Sequence, residues 1–184
     1  MGLGNPGPEY DETRHNAGFR LADHLVARWR FGPFARVERA RQSTGVWDGR
    51  EVCVIKPQTY MNRSGAALAP LRDVSGFDPA THLLILSDDV ALPGGRFRLR
   101  GAGSSGGHNG LKSIEAALQR QDYARLRIGV GPVPPDIADL ADYVLAPFEP
   151  EEQRILAELL DPMADAVECW MAEGVERAMS RFNR

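Results

Sequence analysis

Residues 82–89 read HLLILSDD, and this stretch decides the fold class. The apolar run His82–Leu86 does not alternate, which is the pattern of a central strand buried on both faces rather than one with a wet side. Ser87-Asp88-Asp89 follows, so a pair of carboxylates is expected at the C-terminal end of that strand. In open α/β sheets, ligands bind at such ends.

Downstream, Pro93-Gly94-Gly95 turns the chain into Arg96–Arg100, where Phe97 and Leu99 alternate with arginines: a strand with one buried and one basic face. Gly101–Gly107 is a glycine-rich loop. Leu111–Leu118 reads as a helix, Ala124–Gly131 as a strand and Pro132–Asp136 as a loop. Ile137–Leu145, Glu151–Met171 and Val175–Phe182 read as helices, the second opened by Pro150 and acids.

Upstream, Phe34–Trp47 and Glu51–Lys56 form strands joined at Asp48-Gly49, a strong hairpin signal, with the second strand well buried. His15–Arg30 places Phe19, Ala22, Leu25, Val26 and Trp29 at helical spacing, with Asp11 or Thr13 as cap. Arg63–Val74 reads as a further helix. Met1–Gly4 is the tail of a first strand, which a few residues upstream are expected to complete. Strands alternating with helices give an α/β fold: a three-layer sandwich with a mixed, twisted sheet flanked by helices, as one domain over residues 1–184.

Composition excludes several classes. A chain of 184 residues, 43% hydrophobic and 26% charged, is ordinary for a soluble globular protein. No apolar run approaches a membrane span, and the N-terminus lacks the pattern of a signal peptide. Cys53 and Cys169 have no CxxC spacing and read as reduced core residues of a cytosolic protein. The formal net charge is −3, yet Arg96, Arg98, Arg100, Lys112, Arg120, Arg125 and Arg127 crowd one part of the chain. That asymmetry fits a basic face that meets phosphate as well as an uneven solvated surface.

Two stretches match G-x-G-x-x-G, Gly2–Gly7 and Gly101–Gly106, but neither follows a strand directly into a helix, as a dinucleotide site requires. Gly103–Gly107 fits G-x-S-x-G, but it lies in a glycine loop rather than on a strand-to-helix elbow, so Ser104 and Ser105 read as spacers and not as nucleophiles. His24 falls inside a helix and His82 begins a strand. His15 and His108 differ: each precedes an asparagine at a loop–helix junction. The long polar loop Gly2–Gly18, with Asn62, Asp88 and His108-Asn109, therefore supplies histidine, carboxylate and carboxamides from loops. That set activates water and holds a charged oxygen. A two-histidine, one-carboxylate metal site is the competing reading.

The motifs GLGNPG-x-x-Y-x-x-T-R-H-N-x-G, T-x-M-N-x-S-G, D-D-x-x-L-P-x-G, S-x-G-G-H-N-G-L and R-L-R-I-G occur in order across the chain. Together they resemble bacterial peptidyl-tRNA hydrolases. The resemblance implies an esterase that frees peptide from tRNA, without cofactor or metal, as a cytoplasmic monomer. It implies His15 as general base, Asp88 as its orienting carboxylate, and Asn5, Asn62 and Asn109 as contacts to substrate carbonyls, water and oxyanion. Tyr10 would lie near the terminal adenosine, Met61 would line the peptide's wall, and His108 would contact the 3′ end or support Asn109. Arg98, Arg100 and Arg127 would meet phosphates of the acceptor stem. A first strand shorter than in relatives, and a C-terminus without the basic tail some carry, are departures that remove none of these residues. A non-catalytic RNA-binding relative of the same fold and a metal-dependent esterase are the alternatives.

Overall fold

The computed structural model describes residues 1–183, without the side chain of Arg72. In chain order its elements are α1 (Ala17–Arg28), β1 (Ala35–Val37), β2 (Ala40–Trp47), β3 (Arg50–Pro57), α2 (Pro79–His82), β4 (Leu84–Pro93), β5 (Phe97–Arg100), α3 (Asn109–Leu118), β6 (Ala124–Gly131), α4 (Leu140–Leu145), α5 (Pro150–Glu173) and α6 (Val175–Phe182). Short 3-10 helices cover Pro8–Tyr10 and Arg14–Asn16, and a longer one covers Met61–Asp73.

The sheet is assembled in two parts. β1-β2-β3 is antiparallel, while β4-β6-β5 is mixed, with β4 parallel and β5 antiparallel to β6. The first three residues join them: Gly2 N–H donates to Ile55 O, Leu86 N–H to Met1 O and Leu3 N–H to Leu86 O. Across the molecule the order is therefore β5-β6-β4, the N-terminal segment, then β3-β2-β1.

Alternation along β4 builds the layers. Leu84 and Leu86 pack with Leu99, Leu126 and Ile128 against α1, α5 and α6. Leu83 and Ile85 point the other way, to Leu3, Met61, Leu68, Leu111 and Ile114 under α3 and the Met61–Asp73 helix. Two glycines let the helices close on this sheet. A Cβ on Gly18 would collide with the carbonyl of Leu86 and the backbone of Leu3, and one on Gly110 with Met61 and Leu3. Each lies within three residues of a histidine of the site, so close packing is what brings those histidines up to β4.

Several expectations need correction. The stretch Phe34–Trp47 is broken by a two-residue turn at Glu38-Arg39, whose Glu38 sits at φ 47°. β3 is only half-covered, so Cys53 is exposed while Cys169 is buried. Asp88 does not end its strand: β4 runs on to Pro93 because β6 continues alongside it. Residues 14–16 form a 3-10 turn before α1, and neither Asp11 nor Thr13 caps by side chain; the Thr13 hydroxyl donates to Tyr10 O instead. The helix expected over Arg63–Val74 is 3-10 and contains Pro70, which lacks the N–H an α-helix would use. The hairpin at Asp48-Gly49, β6 and α6 stand where the sequence places them.

Candidate active site

His15 in the 3-10 turn before α1, Asp88 within β4 and His108 at the N-cap of α3 come together. Asp88 is buried, and its carboxylate faces both imidazoles: His15 Nδ1 lies 2.9 and 3.0 Å from its two oxygens, and His108 Nε2 lies 2.9 Å from Oδ1. The hydrogen-bond network fixes the tautomers. His108 Nδ1 accepts from the Gly110 and Leu111 N–H groups, as the N-cap of α3, so its proton is on Nε2 and is given to Asp88. Asp88 likewise accepts from His15 Nδ1–H, which leaves His15 Nε2 with a free lone pair. Burial pushes the Asp88 carboxyl up, but the imidazoles of His108 and then His15 outweigh it and hold the group well below the usual carboxylate range.

The asparagines are positioned from behind. Asn16 is fully buried and grips the backbone of Asn5 twice: Asn5 N–H donates to Asn16 Oδ1 at 2.7 Å, and Asn16 Nδ2 donates to Asn5 O at 3.0 Å. Asn5 Oδ1 in turn accepts Met61 N–H at 2.8 Å. Its NH₂ group is thereby the end left to face the cleft. Asn62 and Asn109 are exposed and line the same cleft, a cavity of about 470 Å³ that also takes in Tyr10, Met61 and Arg127.

Asn16 is the positioning residue that sequence reasoning missed. Asn16→Ala would strand a buried N–H and a buried C=O, and is expected to cost about 2–4 kcal/mol in urea melts while lowering activity. A loss below about 0.5 kcal/mol would mean that the loop does not depend on this clamp. The loop is tied down on its other side by Arg14, which pairs with Glu152 at 2.6 Å, donates to Tyr143 O and stacks on the Tyr143 ring. The far wall of the cleft, Asp139–Leu145 with the exposed Leu140 and Leu145, was also missed, as was Tyr60 on the rim.

The arginines expected at phosphate are not equivalent. Arg98 lies opposite Arg127, and Arg100 opposite Arg125, all on one face of β5–β6. Arg98 and Arg100 are exposed, with no ion pair among the described residues. Arg127 is paired with Asp89. Arg125 is buried, donates to Ser104 O and Gln121 O, and lies over Tyr123. His24 pairs with Asp161 on α5, and His82 accepts from Asp78 N–H, so neither joins the cleft.

The metal reading also finds its geometry, since the ligand atoms of His15, Asp88 and His108 lie within 4.8 Å of one another. Each imidazole nitrogen facing Asp88 is nevertheless accounted for as a proton donor, and the lone pair left over, on His15 Nε2, points away from that carboxylate. Among the described residues no helix is long and apolar enough to cross a membrane.

Comparison with known proteins bears on this cleft. The family profile described as Peptidyl-tRNA hydrolase matches residues 1–184. A peptidyl-tRNA hydrolase of Gemmatimonas aurantiaca is 48% identical over 186 residues, covering all of this chain and 98% of the relative. One of Chloroflexus aggregans is 48% identical over 185 residues, covering all of this chain and 97% of the relative. The crystal structure of peptidyl-tRNA hydrolase from Acinetobacter baumannii superposes with a TM-score of 0.90 at 33% identity, covering 99% of this chain and 92% of the other.

Proposed function

The chain belongs to the peptidyl-tRNA hydrolase family, and from that premise we propose that it hydrolyses the ester between a peptide's C-terminal carboxyl and a ribose hydroxyl of tRNA. The observation that carries the reading is the contact of His15 Nδ1 with Asp88, which turns Nε2 of the imidazole toward a proton-accepting role in a cleft that also holds Asn5, Asn62 and Asn109. His15 Nε2 takes a proton from water as the oxygen attacks the ester carbon. The imidazolium that forms is stabilised by Asp88. Negative charge gathers on the former carbonyl oxygen, where carboxamide N–H donors hold it without adding a charge of their own. Collapse breaks the bond to the ribose oxygen, which recovers the proton from His15. Free peptide and intact tRNA leave. Tyr10 would lie against the terminal adenosine and Met61 against the peptide.

His108 has two jobs in this reading. It holds Asp88 from the second side, and by capping α3 it fixes Asn109, the first residue of that helix. The acceptor stem would lie along β5, with Arg98 and Arg100 on its phosphates. The enzyme would act as a one-domain monomer in the cytoplasm and would need no metal.

The test is hydrolysis of N-acetyl-Phe-tRNA beside Phe-tRNA with a free α-amino group, each with and without EDTA. Cleavage of the blocked substrate alone, indifferent to EDTA, is the expected result. Loss of activity in EDTA, restored by a divalent ion, would move the chemistry to a metal held by His15, Asp88 and His108. Binding without cleavage by folded protein would favour the non-catalytic alternative.

The phosphate contacts have a separate readout. Arg100→Ala and Arg98→Ala are each expected to flatten the salt dependence of tRNA binding by about one phosphate contact. Arg127→Ala should flatten it less, because its guanidinium is already held by Asp89. An unchanged slope in the Arg98/Arg100 double variant would place the phosphates elsewhere.

A further inference from the structure

A second arginine cluster lies at the opposite edge of the sheet from β5. Arg36 and Arg41 face each other directly across β1 and β2. Like charges so placed destabilise a hairpin, so the fold gains nothing from them. Arg39 at the turn and Arg63 on the Met61–Asp73 helix stand nearby. All four are exposed, and none has an ion-pair partner among the described residues. The turn that presents Arg39 is fixed, because Gln58 N–H donates to Arg39 O at 2.7 Å. Glu38 beside it is the one acid on the rim among the described residues.

Arg39 and Arg63 border a groove of about 650 Å³ whose floor is made of small residues, Gly65, Ala66 and Ala117 among them. Asn62 lines both this groove and the cleft and stands between them. Resting on the cleft assignment above, we propose that this groove is a subsite for the peptidyl part of the substrate, and that Arg39 and Arg63 favour acidic side chains two or three residues before the ester.

The order across the sheet supports the assignment. Arg98 and Arg100 lie at the β5 edge, Asp88 stands on β4 in between, and the groove runs between the Met61–Asp73 helix and α3 to the β1–β2 turn on the far side. With the acceptor stem on β5, the acyl chain has to leave the reaction centre on the far side, past Asn62. The shallow floor of small residues admits an extended backbone. Among the described residues no aromatic side chain lines the groove to stack a base, which single-stranded nucleic acid sites commonly use.

The experiment compares N-acetyl-Glu-Glu-Phe-tRNA, N-acetyl-Lys-Lys-Phe-tRNA and N-acetyl-Phe-tRNA under kcat/KM conditions. Wild type is expected to prefer the acidic over the basic peptide by about threefold to tenfold, the scale of two exposed ion pairs. Arg39→Ala with Arg63→Ala should bring that ratio to about one and leave N-acetyl-Phe-tRNA within twofold. Arg39→Glu with Arg63→Glu should invert it. An unchanged ratio in both double variants, with His15→Gln inactive on all three substrates, would overturn the subsite alone. A uniform loss on all three substrates, with a flatter salt dependence of tRNA binding, would assign the patch to RNA phosphate and overturn the peptide reading. Full activity of His15→Gln would overturn the cleft and the subsite together.

Discussion

His15→Gln is expected to lower kcat for N-acetyl-aminoacyl-tRNA by about 10²–10⁴-fold, the usual contribution of a positioned general base, while tRNA affinity stays within about twofold. Glutamine keeps most of the side-chain volume in a site where His15 is only 8% exposed, so packing is little disturbed. Its amide can still donate to Asp88, but it has no basic lone pair to offer water. The loss should therefore fall on kcat and not on KM, as befits an interaction made only on the way to the transition state. A rate within tenfold of wild type under single turnover would remove His15 from the chemistry.

Asp88→Asn is the second large effect, about 10²–10⁴-fold in kcat, and it acts through protons rather than shape. Asp88 accepts from His15 Nδ1 and from His108 Nε2. An asparagine oxygen in the Oδ1 place can still accept from both rings, but the NH₂ in the Oδ2 place then stands 3.0 Å from His15 Nδ1, where donor meets donor. That clash is relieved if His15 turns over its tautomer, which moves the lone pair to Nδ1 so that the base faces the wrong way. The negative charge that supports the imidazolium is lost in either case.

The same residue predicts an acid limb of stability. The folded protein holds the Asp88 carboxyl below its unfolded value, so the ionised group stabilises the fold above about pH 4 and this contribution fades as pH falls toward the folded value. Between about pH 4 and pH 2, wild type should lose stability more steeply than Asp88→Asn in denaturant melts. Equal slopes would mean that Asp88 is not held by the two histidines.

What the sequence made legible follows from how local each signal is. HLLIL, the alternation in Ala124–Gly131 and the Asp48-Gly49 turn are short-range patterns, and each gave its element, although His82, read as the start of a strand, closes α2 and β4 begins at Leu84. The break at Glu38-Arg39 carries no glycine, proline or asparagine, so only the pairing of β1 with β2 reveals it. Asp88 was legible as a site residue, but not as a residue inside its strand, because the ladder with β6 is a contact between distant segments.

The cleft divides in the same way. His15, Asn5, Asn62 and His108-Asn109 stand out as polar residues at glycine-rich junctions. Asn16 sits at the mouth of an apolar helix, and nothing nearby says that it clamps the backbone of Asn5. The pairing of Arg127 with Asp89, and the burial of Arg125, separate arginines that look alike in the chain. Cys53 misled because alternation shows that a strand has two faces, but not whether a helix covers the second.

The lone pair on His15 Nε2 is the centre of this account, and imidazole ¹⁵N NMR of the free protein, at a pH where both cleft histidines are neutral, tests it most directly. The expected spectrum has His15 protonated on Nδ1 and bare on Nε2, with His108 the reverse. A His15 that carries its proton on Nε2 would leave water without a base in the cleft and would contradict the mechanism.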